Sequence, residues 1–161
     1  MEIQFLSFVL NQGEYALHIS KAREVLEYKM ITPVPNMPTY MLGVISLRGD
    51  AVPVMDLKLR LNLPPAPIDK DSSIIIIELE EGVNLGVLVD SVQEVLDVEE
   101  DKVQGPPSTG GELQLEREYV NGFLEITENR FIILLNLREI FAHSNPSLLP
   151  PDVLTQEDAN R

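Results

Sequence analysis

Residues 15–26 read YALHISKAREVL and residues 85–96 read LGVLVDSVQEVL, one pattern written twice at an offset of 70. Tyr15, Ala16, Leu17, Ile19, Ala22, Glu24, Val25 and Leu26 fall on Leu85, Gly86, Val87, Val89, Val92, Glu94, Val95 and Leu96. A second echo follows at offsets of 79 and 80, where Tyr40, Gly43, Val44 and Ile45 meet Tyr119, Gly122, Phe123 and Leu124, and Asp56-Leu57-Lys58 meets Asn136-Leu137-Arg138. Positions kept in both copies answer needs of the fold, and positions kept in one copy are candidates for function.

The local pattern around these echoes is strand-rich. Residues 5–10 and 15–19 are apolar runs flanking Asn11-Gln12-Gly13-Glu14, which reads as a hairpin with a glycine-bearing loop. Ser20 is placed to cap a short helix with Ala22, Val25 and Leu26 at helical spacing, and Asp90 with Val92, Val95 and Leu96 predicts its counterpart, with Gln93 completing a capping box. Residues 44–47 and 51–57 read as strands joined through Arg48-Gly49-Asp50, with Pro53 marking an edge or a bulge because proline has no amide hydrogen for a ladder. Their counterparts are residues 122–126 and 131–137, turning at Thr127-Glu128-Asn129, with a closing helical turn over 137–142.

Ser73 to Leu79 contains four consecutive isoleucines. Such a run is an aggregation hazard when exposed, so it predicts a strand buried on both faces and bridging the halves. Pro64-Pro65-Ala66-Pro67 and residues 105–111 read as turn-rich connections, and residues 146–161 as a flexible tail. Short strands and turns repeated twice predict an all-β fold with short helices, two small antiparallel barrels packed side by side. Each half alone has a thin core, so the expectation is one unit of two subdomains.

Composition narrows the function classes. The 161 residues contain no cysteine, which excludes disulfides, thiolate metal sites and cysteine nucleophiles. A start at Met1-Glu2-Ile3 without a basic leader, and apolar runs too short to cross a bilayer, lead us to expect a cytoplasmic protein with no direct membrane insertion. The net charge of -14 is unevenly placed: residues 1–68 balance six basic against six acidic side chains, while residues 69–161 carry six basic and twenty acidic ones. That surplus repels phosphate backbones and argues against nucleic acid as a partner.

The sequence supplies no reactive constellation. Its two histidines are His18, on the outer side of an expected strand, and His143, at the start of the tail. Phosphate-loop, nucleophile-elbow and zinc-protease motifs are absent, and Glu80-Glu81 and Glu99-Glu100-Asp101 read as solvated faces. We therefore expect no enzyme, no catalytic residue, no cofactor and no metal, and a binding module in their place.

The ordered succession Phe8-Val9-Leu10, Tyr15 to Ile19, Arg23 to Leu26, Thr32-Pro33-Val34-Pro35, Pro38, Gly43 to Gly49 and Val52 to Leu57 resembles the CheW-type chemotaxis coupling proteins. Leu85 to Asp90, Val92, Glu94-Val95-Leu96 and Tyr119 to Gly122 extend the resemblance, which runs from about Phe5 to Phe141. It implies a single CheW-like domain over residues 1–145, built from two SH3-like five-stranded barrels at approximately 15–75 and 1–14 plus 76–145. It also implies a cytoplasmic, non-catalytic adaptor recruited to membrane receptor arrays, linking the cytoplasmic tip of methyl-accepting chemoreceptors to the regulatory domain of the histidine kinase CheA. The alternatives are the coupling protein of another chemosensory pathway, such as pilus motility, and a small-molecule binding barrel.

The resemblance places the receptor-binding groove at Ala22, Glu24 and Val25 on one side and Ile74, Ile75 and Val95 on the other. Arg48 joins them, by direct contact or by pairing with an acid that holds the groove in shape. Its repeat counterpart is Thr127 or Glu128, so we expect that nothing in the fold demands a cation at this hairpin. Gly43, shared with Gly122, is assigned to the fold, with only an indirect effect on the kinase-binding face; Asp56, shared with Asn136, is assigned to a turn.

Overall fold

The computed structural model describes residues 1–105 and 119–142. The N-terminal run folds as β1 (Glu2–Leu10) and β2 (Gly13–His18), followed by a 3₁₀ turn at Ile19–Lys21 and β3 (Ala22–Glu27). After a crossing segment come β4 (Met41–Leu47), β5 (Asp50–Asp56) and the single-turn α1 (Leu57–Arg60). The second copy supplies β6 (Ser73–Glu80), β7 (Val83–Val89), β8 (Ser91–Glu99) and β9 (Val103–Gln104), then β10 (Val120–Thr127), β11 (Arg130–Leu135) and α2 (Leu137–Ala142).

These strands form two sheets, β8-β1-β2-β11-β10-β9 and β3-β6-β7-β5-β4, each antiparallel apart from one short parallel pairing. The repeat survives in the register. Val54 lies opposite Gly86 in the parallel pair of one sheet, and Leu134 lies opposite Ala16 in that of the other. A bulge falls between Met41 and Gly43 and again between Val120 and Gly122. Asp56 Oδ1 accepts the Lys58 and Leu59 amides at the start of α1, and Asn136 Oδ1 accepts the Glu139 amide at the start of α2. The shared Asx residue is thus a helix cap in both copies.

The shared glycine answers a steric need. Gly43 has φ 140°, and a β-carbon there would lie 2.0 Å from the Thr32 carbonyl oxygen, because residues 32 and 33 cross directly over it. At Gly122 the corresponding contact is 2.4 Å to the Gln104 carbonyl oxygen of β9. Both glycines let a sixth segment lie across a hairpin, Thr32 bridging Val44 in one sheet and Gln104 pairing with Phe123 in the other.

The isoleucine run makes β6 the strand between two cores. Ile74 and Ile76 pack with Ile45, Val52, Val54 and Leu88 inside the second sheet, while Ile75 and Ile77 face a larger core shared with Phe8, Leu10, Tyr15, Leu17 and Phe141. A third cluster of Phe5, Ala16, Leu124, Ile132 and Leu134 fills the first sheet. One alternating strand therefore welds a subdomain interior to the interface between the halves.

Four expectations are corrected. The segments around Ala22 and Val92 are strands, not helices: burial alternates with period two along β3, whose residues ladder with β6, while β8 ladders with β1. Apolar positions three and four apart fit either period over so short a run, and the waiting edges of β6 and β1 decide it. Ser20 and Asp90 accordingly cap no helix there. His18 Nδ1 accepts the Ser20 amide at 3.1 Å, and Asp90 Oδ2 accepts the Asn11 amide at 2.6 Å. The sheets divide at 18/22 and 89/91, not near 15 and 75, because the β1–β2 and β6–β7 hairpins each stay whole.

Pro53 sits on β5, which lies between β4 and β7, not on an edge. Its partner Val44 spends its own amide and carbonyl on Thr32, so no ladder bond is asked of the proline from that side, and the pairing of β5 with β7 begins only at Val54. His143, the tail 146–161 and all but the first residue of the 105–111 connection lie outside the described residues.

Candidate binding site

The second sheet ends in β3 on one side and β4 on the other, and its ladder does not close between them. Three contacts span that seam. Thr32 bridges Val44, Lys29 Nζ donates to the Ser46 carbonyl, and the Arg48 guanidinium meets the Glu24 carboxylate with Nη2–Oε2 at 2.5 Å and Nη1–Oε1 at 3.3 Å. The two-residue turn after β4 places Arg48 and Gly49 at φ 51° and 87°, a left-handed turn that matches strand twist and aims the arginine back over β3.

The fork-to-fork geometry fixes charge as well as shape. Hydrogen bonding from Arg48 holds the Glu24 carboxyl below its ordinary value, assisted by the positive charges of Arg48, Arg23 and Lys29, and raises the Arg48 guanidinium in return. Arg48 remains largely open to solvent. An exposed pair of this kind adds little to stability, so its main effect is to hold two charges in one place.

Val25 is next on β3 and is 43% exposed, opposite Ile75 of β6. Val95 holds the matching position on β8 of the other sheet, 47% exposed and opposite Leu6 of β1. Ala22 is half-buried against the shared core. The structure thus brings Glu24 and Arg48 together, leaves Val25 next along β3 with its side chain on the strand's other face, and sets Val95 on the other sheet. Ile74 and Ile75 are corrected as groove residues: both are fully buried, one in each core, and they serve to anchor β3. Gly43 is buried under residues 32 and 33 and offers no surface of its own.

Sequence reasoning missed a second forked pair, which lies in the other sheet. Arg130, at the start of β11, donates Nε and Nη2 to the Glu14 carboxylate at 2.8 and 2.7 Å, and hydrogen bonding from Arg130 lowers the Glu14 carboxyl. Glu94, the repeat mate of Glu24, lies close enough to add to the stabilisation of the Arg130 charge. The Arg130–Glu14 pair joins the neighbouring strands β2 and β11 and does not cross a seam, and the turn position equivalent to Arg48 holds Glu128.

An open cleft of about 660 Å³ lies elsewhere, lined by Asn11, Gln12, Pro64, Pro67, Asp69 and Asp90 among others, and shares no residue with the seam. No group of three or more His, Cys, Asp or Glu arranged to hold a metal occurs among the described residues. No helix among them is long and apolar enough to cross a membrane.

Two SH3-like sheets related by an internal repeat, with an exposed valine and a forked ion pair on one edge strand, define a binding module of the scaffold class. A model of the CheW-like domain matches residues 4–145, and the chain belongs to that family of chemotaxis scaffold proteins. Among similar proteins, the chemotaxis protein CheW of Rhizobium meliloti is 33% identical over 138 residues, 86% of each chain. That of Bacillus subtilis is 28% identical over 149 residues, 92% of this chain and 93% of the relative. The crystal structure of the scaffolding protein TtCheW from Thermoanaerobacter tengcongensis superposes with a TM-score of 0.82 at 32% identity, covering 93% of this chain and all of that one.

Proposed function

We propose that the protein is a non-catalytic cytoplasmic adaptor that couples chemoreceptors to the regulatory domain of the histidine kinase CheA. The observation that carries this proposal is the Arg48–Glu24 pair locked across the β3–β4 seam, with the exposed Val25 next along β3 on the strand's other face. An exposed apolar side chain and a fixed pair of opposite charges on one edge strand suit the tip of a receptor helical hairpin, whose side chains at helical spacing supply an anchor and polar groups. Val95 on the matching strand of the other sheet supplies a second apolar contact. Gly43 acts indirectly, by letting residues 32 and 33 lie flat on β4 and so keeping the hairpin that carries Arg48 in place.

In this role the protein performs no chemistry and works by tethering. The uneven charge of the chain supports two partners, since surfaces of different potential select different proteins. A pull-down and titration with a receptor cytoplasmic fragment and with the isolated kinase regulatory domain tests the proposal. Binding of both by one molecule supports it, and failure to bind either at micromolar concentration rejects it.

A further inference from the structure

We infer that Arg60 is a positioning residue that holds the two halves of the molecule at one fixed orientation, through its place between the repeat-related rings of Tyr40 and Tyr119. Its guanidinium carbon lies 5.4 Å from the Tyr40 ring centroid and 5.1 Å from that of Tyr119. Nη2 also donates to the Tyr119 hydroxyl at 2.9 Å and to the Ile140 carbonyl at 2.8 Å. Arg60 ends α1, next to the second sheet, while Tyr119 and Ile140 flank the β10–β11 hairpin of the first.

The backbone of each tyrosine is tied to the cap residue of its own copy. The Tyr40 carbonyl accepts the amide of the cap residue Asp56 at 2.7 Å, and the Tyr119 carbonyl accepts that of Asn136 at 2.8 Å. Arg60 therefore grips two equivalent struts, one from each copy. At the offset of 80 that matches Asp56 with Asn136, the mate of Arg60 is Ile140, a fully buried core residue. The fold keeps the two tyrosines and breaks the repeat at the residue between them. One cation within reach of both rings serves the two, and arginine suits the position because its flat fork stacks and donates at once.

A second tie runs from the same turn. Lys58, almost fully buried, pairs with Asp90 at the β7–β8 corner, and Asp90 accepts the Asn11 amide of the β1–β2 turn. The side chains of α1 thus reach the first sheet at one place through Lys58 and Asp90 and at another through Arg60. Two separated attachments resist rotation where one would act as a pivot.

The chain has no cysteine, so spin labels can be placed without other changes. Labels at Glu81→Cys and Glu128→Cys sit on exposed hairpin turns, one in each sheet. The otherwise native protein should give one narrow distance distribution. Arg60→Ala should broaden or split it while far-ultraviolet dichroism is retained, and Arg60→Lys should restore it only in part, since a lysine cannot stack between both rings. If Arg60→Ala does not fold, Arg60→Lys and Tyr119→Phe with the same labels decide. A lowered melting temperature with an unchanged distance distribution would make Arg60 an ordinary packing residue and overturn the inference. The distance measurement needs no partner, so its failure is separate from failure of the adaptor proposal.

Discussion

Val25 and Val95 occupy the same place in the two copies, and both stay exposed while the residues opposite them, Ile75 and Leu6, are buried. Their surroundings differ in charge. Val25 is preceded on β3 by Arg23 and Glu24, the latter engaged with Arg48, whereas Val95 on β8 lies between Glu94 and Asp97 in sequence, and Glu94 interacts with the Arg130 charge. The repeat therefore presents one apolar contact twice, beside different sets of charged residues.

Replacing either valine with aspartate should leave folding intact, because an exposed strand position tolerates a polar side chain. Val25→Asp is expected to weaken binding of a receptor fragment by about tenfold, in the range of a lost apolar anchor. Val95→Asp should do the same less strongly. Titrations of both variants against one fragment check this, and equal, native affinity in both would remove β3 and β8 from the interface.

Arg48 and Glu24 allow a sharper test, because the pair can be broken or inverted. Arg48→Ala and Glu24→Ala should each reduce receptor-dependent kinase activation with little change in the thermal melt, since the pair is exposed. The double exchange Arg48→Glu with Glu24→Arg separates two mechanisms. Recovered activation means that the pair acts by holding the seam, and continued loss means that the arginine itself touches the partner.

Gly43→Ala carries the opposite expectation. The new β-carbon would collide with the Thr32 carbonyl at a positive φ, so destabilisation of about 3 kcal/mol is expected from overpacking and backbone strain together. Gly122→Ala should cost a similar amount, against Gln104. Denaturant unfolding of the two variants measures this. A native midpoint for Gly43→Ala would show that residues 32 and 33 lift away readily and that the crossing is not a fixed part of the fold.

Much of the architecture was legible because a repeat shows twice whatever the fold requires: the sharing assigns both glycines to the fold and both Asx residues to its backbone, though to a turn and not to the helix caps they form. The local period at residues 22–26 was not, because Ala22, Val25 and Leu26 satisfy helix and strand spacing alike and only the free edge of β6 chooses between them. The site was half legible. Glu24 and Arg48 were named as separate residues, but their meeting depends on two edge strands that are neighbours around the seam and distant along the chain. Arg60 escaped notice for a related reason, since neither tyrosine nor arginine shows from spacing that they share an axis.

Ile75 separates anchoring from contact. It is fully buried in the shared core and pairs with Val25, so Ile75→Ala should cost about 3 kcal/mol through lost apolar burial and a residual cavity. Any loss of partner binding should then track the unfolded fraction and disappear on cooling to conditions where the variant is fully folded. Weak binding by a fully folded Ile75→Ala, with β3 unmoved, would instead return this isoleucine to the interface.

Acid should loosen the molecule through its two forked pairs. Arg48 lowers the Glu24 carboxyl and Arg130 lowers the Glu14 carboxyl, each from an ordinary value of 4.5. A carboxyl with a depressed folded value binds protons more readily when unfolded, so its contribution is full above the ordinary value and is lost as pH falls through the depressed one. Melting temperature should therefore fall with acidification below about pH 4.5, less steeply in Glu14→Gln and Glu24→Gln than in the native chain. Added salt should shrink the difference, because exposed pairs are screened. Parallel acid slopes in all three proteins would mean that neither pair carries its charge coupling into stability, leaving the Arg48–Glu24 contact to matter for recognition alone.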